Sequence, residues 1–179
     1  MSADFAMLGE MDAEPVTWGP GTRMNADGRP EAPVLLDAQY KQYDCDFIKE
    51  NEKKIYLTFD QGYENGYTAK ILDVLKEKEA PAVFFLTGHY VNTAPELIQR
   101  MVDEGHVLGN HSWGHKDYTE VDLQTAFDYL KQLHDKVLED YGYDVRLFRF
   151  PEGVFSEQSA ALVQSAGCRS VFWSFAYKD

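Results

Sequence analysis

From Lys53 onward, short apolar runs alternate with longer stretches in which apolar residues recur every three or four positions. The short runs predict strands over 54–60, 82–86, 107–109, 145–150 and 170–175. The longer stretches predict helices near 66–79, from the capping box Thr93-Ala-Pro-Glu96 to Gly105, over about 119–141, and from Ser156 to Ala166. The first must end before Pro81, whose ring disfavours helical geometry at Ala80. Strict strand–helix alternation implies right-handed crossovers and a parallel sheet, so the fold class is α/β.

A closed barrel of such units needs roughly eight strands and about 250 residues. Five strands make little more than half of one, so the last run, Val171-Phe-Trp-Ser-Phe-Ala176, is expected to leave one strand edge unpaired. Residues 1–52 read differently. Trp18-Gly19-Pro20-Gly21 and Asp27-Gly28-Arg29-Pro30 are turn signals, and this stretch is expected to be a loop-rich extension, with one short helix conceivable around Leu36 to Tyr43.

Composition narrows the function. The 179 residues are 44% hydrophobic and 14% aromatic, which is globular, and the formal net charge is -13. With no basic cluster, a nucleic-acid partner is excluded. No apolar run approaches a transmembrane span of about 20 residues, and Met1-Ser-Ala-Asp-Phe has neither the basic start nor the apolar middle of a signal peptide. The two cysteines, Cys45 and Cys168, have no redox or metal spacing and read as small buried side chains.

Three strand ends carry candidate chemistry. The first stops on Asp60-Gln61-Gly62, the third runs into His111-Ser-Trp-Gly-His115, and the fourth into Arg149-Phe-Pro-Glu-Gly153. In parallel sheets, catalytic groups collect at such carboxyl ends. Two imidazoles four apart can reach one metal ion, although the spacing serves two surface histidines equally well. Asp60 alone suits a turn; opposite the histidines it suits a base that takes a proton from an attacking water. Arg149 fits as its cationic partner, in a catalytic or a purely structural ion pair. A backbone N–H in the turn after Arg149 could meet a developing oxyanion. Trp18, Trp113 and Trp173 could stack on sugars but suit a core better. His106 begins its strand and belongs to the opposite end, His134 lies mid-helix, and His89 follows a strand end.

Thr58-Phe-Asp-Gln-Gly62, His111-Ser-Trp-Gly-His115 and Arg149-Phe-Pro-Glu-Gly153, in that order, resemble the first three motifs of the polysaccharide deacetylases of the NodB-homology family, carbohydrate esterase family 4. Tyr63-Glu-Asn-Gly-Tyr-Thr68 and the closing Phe172-Trp-Ser-Phe-Ala-Tyr-Lys-Asp179 further resemble the branch that makes muramic δ-lactam in spore peptidoglycan. The resemblance implies a distorted (β/α) barrel, with 53–179 a partial deacetylase domain whose C-terminal part is missing. It implies Asp60 as catalytic base, Arg149 as the residue holding it, and Asp179 as the acidic residue that positions its neighbours. Pro151 and the Glu152 backbone would form the substrate and oxyanion side. His111 and His115 would bind a divalent metal, zinc in the first place, with Gln61 a weak or absent ligand because most of the family has Asp there. A later Leu-x-His motif, whose histidine is the family's general acid, does not occur before Asp179. The implied reaction is metal-dependent removal of the N-acetyl group from peptidoglycan amino sugars, N-acetylmuramic acid foremost, by an extracytoplasmic or cell-wall-associated enzyme. The alternative is a catalytically silent glycan-binding protein of the same fold.

Overall fold

In the computed structural model, which describes residues 1–19, 21–49 and 53–176, six short strands lie side by side in one parallel sheet. In chain order the elements are α1 (Phe5–Leu8), β1 (Val16–Thr17), α2 (Glu31–Tyr40), β2 (Cys45–Asp46), β3 (Thr58–Gln61), α3 (Thr68–Glu77), β4 (Val83–Leu86), α4 (Gly88–Thr93) and α5 (Pro95–Asp103). There follow β5 (Val107–Asn110), α6 (Leu123–Tyr141), β6 (Leu147–Phe148), β7 (Val154–Phe155), α7 (Glu157–Ser165) and β8 (Arg169–Val171). The sheet order is β2-β8-β6-β5-β4-β3, and every pairing within it is parallel. The protein is thus α/β, and its sheet is consistent with a distorted (β/α) barrel. A separate antiparallel pair joins β1 to β7.

The last strand is not left open. β8 lies between β6 and β2, with Cys45 opposite Ser170 and Asp46 opposite Val171. The two edges of the sheet among the described residues are β2 and β3, and the approach to β3 leaves Ile55, Tyr56 and Leu57 exposed. That edge position explains why regular pairing spans 58–61 and not the longer apolar run.

Helix boundaries follow local capping. Asp122 accepts a hydrogen bond from the Thr125 N–H and starts α6, and Gly142 ends it in the left-handed conformation at φ 63°. Thr93-Ala-Pro-Glu96 does not close a capping box: Thr93 ends α4 and donates its hydroxyl to the His89 carbonyl, while Ala94 precedes α5 without a side-chain cap. The extra helix α4 escapes a periodicity reading because it is six residues long; it is capped by Thr87, whose hydroxyl accepts from the Tyr90 N–H.

Two apolar clusters flank the sheet. One gathers Leu72, Phe84, Ile98, Met101, Leu133 and Val137 around α3, α5 and α6. The other gathers Trp18, Tyr40, Phe47, Phe148, Phe155 and Phe172, so the described residues before 50 pack against one side of the sheet and add β2 to it.

Candidate active site

Because β3, β5 and β6 run parallel in register, their carboxyl ends open on one side, and Asp60, His111 and Arg149 arrive there together. The Arg149 N–H donates to the Asn110 carbonyl and the His111 N–H to the Leu86 carbonyl, so both are the first residue past a paired strand, while Asp60 is the penultimate residue of β3. Gly109 permits the approach. A Cβ there would meet Phe85 Cδ1 at 2.3 Å, and Phe85 is the ring over which the Arg149 guanidinium lies, 4.2 Å from its centroid.

Arg149 is 3% exposed and every part of its fork is used. Nε donates to the Val171 carbonyl at 3.0 Å, Nη2 to the Phe172 carbonyl at 3.1 Å and Nη1 to Asp60 Oδ1 at 2.8 Å. Burial pulls the guanidinium below its ordinary pKa, and the Asp60 carboxylate opposes that shift. A buried arginine bound to two carbonyls at the end of β8 therefore holds Asp60 by one oxygen. The other, Oδ2, lies 3.9 Å from His111 Nε2.

His111 is buried, and its Nδ1 lies 2.8 Å from the Arg149 carbonyl. A carbonyl only accepts, so Nδ1 carries the proton and Nε2 presents a lone pair towards Asp60. Burial lowers the His111 pKa, against the opposing pull of Asp60, and so favours the neutral ring. The turn holding it is built by Asn110, whose amide donates to the Leu130 carbonyl and accepts from the Ser112 N–H, each at 2.8 Å. Ser112 and His115 sit at φ 68° and 48°, left-handed geometry for non-glycine residues, and strain of this kind gathers at functional sites. The His115 ring meets His111 edge-on at 4.8 Å between centroids.

The expected zinc site is not supported. Among the described residues no group of three or more His, Cys, Asp or Glu side chains is arranged to hold a metal ion. The donor set explains this. Gln61, a neutral amide, is buried, and its Oε1 is 3.4 Å from the Thr68 hydroxyl. Arg149 binds Asp60 through Oδ1. The two neighbouring imidazoles are then joined by no third His, Cys, Asp or Glu donor arranged to complete such a set among the described residues.

After Arg149, Pro151 is buried and Glu152 adopts φ 59°, turning the backbone sharply before Gly153. Asp179 lies outside the described residues. His89 is exposed on α4, and His106, as expected, lies at the opposite end of the sheet, where its Nδ1 accepts the Ala82 N–H.

Several contributors carry no role in the residue patterns themselves: Phe85 beneath Arg149, Asn110 beneath the histidine turn, and Glu64, which the resemblance marks only as part of Tyr63–Thr68. Glu64 Oε1 accepts from the Gly66 N–H at 2.6 Å and Oε2 from the buried Tyr90 hydroxyl at 3.0 Å, fixing the loop between Tyr63 and Tyr67. Burial opposes ionisation of Glu64, but these hydrogen bonds and those from Thr68 outweigh it and hold the carboxyl below its usual range. An acid three residues after Gln61 reads as loop polarity until its partners are seen.

The parallel sheet brings an arginine-held aspartate to a histidine pair at its carboxyl end, and the chain belongs to the polysaccharide deacetylase family, whose sequence profile matches residues 48–171. Among relatives, it is 43% identical over 168 residues to the peptidoglycan-N-acetylmuramic acid deacetylase PdaA of Bacillus subtilis, covering 93% of this chain and 64% of that protein. It is 45% identical over 167 residues to an uncharacterized 30.6 kDa protein of Geobacillus stearothermophilus, covering 92% of this chain and 63% of the relative. The chain thus spans under two thirds of the length of both. The solved structure of PdaA superposes with a TM-score of 0.85 at 42% identity, over 93% of this chain and 71% of that one. A family 4 carbohydrate esterase from Bacillus anthracis superposes at 0.84 and 41% identity, over 94% and 77%.

Proposed function

We propose that this protein is a hydrolase that removes the acetyl group from N-acetylated amino sugars of peptidoglycan outside the cytoplasm, with N-acetylmuramic acid residues, on the route to muramic δ-lactam, as the preferred substrate. The observation that carries the reading is the arrangement of Asp60: one oxygen bound by Arg149 at 2.8 Å and the other directed to the free nitrogen of His111 at 3.9 Å. That gap is too long for a direct hydrogen bond and suits a bridging water. The 43% identity to a protein named for N-acetylmuramic acid supports the choice of sugar.

In this reading a water donates one hydrogen to Asp60 Oδ2 and the other to His111 Nε2, leaving a lone pair for the acetamide carbon. As the O–C bond forms, Asp60 takes the proton, and the charge on the carbonyl oxygen falls on the Glu152 backbone N–H. The C–N bond then breaks as the proton held by Asp60 passes to the departing nitrogen, leaving the amine and acetic acid, which releases water's second proton to solvent and becomes acetate. Arg149 fixes the base in position throughout. Pro151 holds the turn that presents Glu152, His115 flanks His111, and Asp179 is assigned by family motif to positioning the centre. The finer architecture, a distorted (β/α) barrel whose deacetylase domain begins at residue 53, belongs to the same proposal.

Acetate release from glycan strands with intact N-acetylmuramic acid tests the reading against strands whose acetyl groups lie only on glucosamine. The expected result is faster release from the first. Strands that are retained without any acetate release would instead establish the silent glycan-binding alternative.

A further inference from the structure

We propose that residues Val16–Trp18 form a strap that positions the Pro151–Gly153 turn on the oxyanion side of the site, with Trp18 as the positioning residue. This rests on the deacetylase reading above. The strap lies outside the 48–171 stretch that the family's sequence profile matches, in what the sequence presents as a loop-rich extension. Its placement gives it a task.

The turn needs outside support. Glu152 at φ 59° and Gly153 at φ 69° are consecutive left-handed residues, and for a non-glycine residue such geometry persists only where the surroundings over-determine it. Part of the support comes from β1. Val16 pairs with Phe155 and Thr17 with Val154 in antiparallel register, and the Trp18 N–H donates to the Gly153 carbonyl at 2.9 Å. The strap therefore binds the chain continuously from Gly153 to Phe155.

The Trp18 side chain supplies the rest. It is 4% exposed, and a Cβ added to Gly153 would lie 3.2 Å from Trp18 Cβ and 2.8 Å from Trp173 Cη2, so the turn is clamped between two indoles. The Trp18 and Trp173 rings meet edge-on at 6.1 Å, and the Trp173 ring lies 5.5 Å from the guanidinium carbon of Arg149. Thus one residue touches both the turn that carries the Glu152 N–H and the indole beside the arginine that holds Asp60. Trp18 Nε1 is buried with no hydrogen-bond partner among the described residues. What the side chain offers is therefore the body of its ring, and phenylalanine can replace much of that.

The test compares Trp18→Ala, Trp18→Phe and a core control, Leu162→Ala, which truncates a fully buried residue of α7 in the same apolar cluster. Amide hydrogen exchange of residues 153–155 is read alongside kcat and KM for acetate release from peptidoglycan strands. Trp18→Ala is expected to speed exchange there about tenfold or more and to lower kcat roughly 10–100-fold, with KM within about threefold. Trp18→Phe should restore both. Leu162→Ala should lower the unfolding temperature while leaving the exchange of this segment and kcat near those of the parent. Unchanged exchange at 153–155 in a folded Trp18→Ala protein, failure of phenylalanine to restore it, or an equal loss in Leu162→Ala would overturn the strap. If Trp18→Ala does not fold, Trp18→Leu takes its place under the same criteria. If the parent protein releases no acetate, the deacetylase reading fails, and the exchange measurement still decides whether the strap exists.

Discussion

Two buried histidines stand at opposite ends of the four-residue strand β5, His106 just before it and His111 just after, 5% and 3% exposed. Burial lowers the pKa of both, so both rings favour the neutral form. What separates them is the second nitrogen. At His106, Nδ1 accepts the Ala82 N–H at 3.2 Å and Nε2 has no partner among the described residues. At His111, Nδ1 donates to the Arg149 carbonyl, and Nε2 faces a carboxylate that is 41% exposed and firmly held. The first ring completes a backbone hydrogen bond at the amino end of β5, while the second, at its carboxyl end, faces a partly exposed carboxylate. Burial and a shifted pKa do not distinguish structure from function here; the partners do.

The largest effect that would break this contrast is at Asp60. Asp60→Asn keeps the shape and removes the proton acceptor, so acetate release should fall about 10²–10⁴-fold while thermal unfolding changes little. A mutant as active as the parent would leave His111 facing nothing of consequence. Next comes the paired exchange of the histidines. His111→Leu should lower kcat about 10²-fold or more. His106→Leu should leave kcat unchanged and cost about 1–3 kcal/mol of stability, because the buried Ala82 N–H loses its acceptor. Denaturant titration and steady-state kinetics on the two variants would show the reverse pattern if the roles are misassigned.

The pH dependence of stability sharpens the same point. Unfolded histidines take up a proton near pH 6.5, whereas both folded rings resist protonation until lower pH. The unfolded state then binds more protons, so stability should be full above about pH 6.5 and decline as pH falls through the folded values. Replacing both histidines with leucine should flatten the unfolding temperature across that window, and an unaltered slope would place its origin elsewhere. The smallest effect is expected at Gln61→Ala. Its amide faces Thr68 at 3.4 Å, a weak contact, so stability should change by about 1 kcal/mol or less and kcat should be nearly constant. A large loss of activity would show that Gln61 faces the reaction centre.

Much of the fold is legible in the chain because β3, β4 and β5 are apolar runs separated by strongly periodic helices, and the alternation dictates a parallel sheet. The strand-end residues Asp60, His111 and Arg149 follow from that sheet. Where the reading fell short, the cause is tertiary. β1 and β2 are two residues each, too short for any periodicity, so the strand that covers β8 was not visible and its edge was expected to be bare. The His-x-x-x-His spacing suggested a metal, but Gln61 is drawn aside to Thr68 and Asp60 to Arg149, and neither choice is written in local sequence. Trp18 read as a core residue, which it is; that its core includes the turn after Arg149 appears only when residues about 135 positions apart are brought together.

The central claim is that Asp60, positioned by Arg149 beside His111, activates a water for attack on an acetamide. Incubating the protein with N-acetylmuramic acid-containing strands in oxygen-18 water and weighing the released acetate by mass spectrometry tests it directly. The account predicts acetate carrying a single heavy oxygen atom from the parent protein and only a trace from Asp60→Asn at equal concentration and time. Unlabelled acetate, or labelled acetate formed as fast by Asp60→Asn as by the parent, would contradict it.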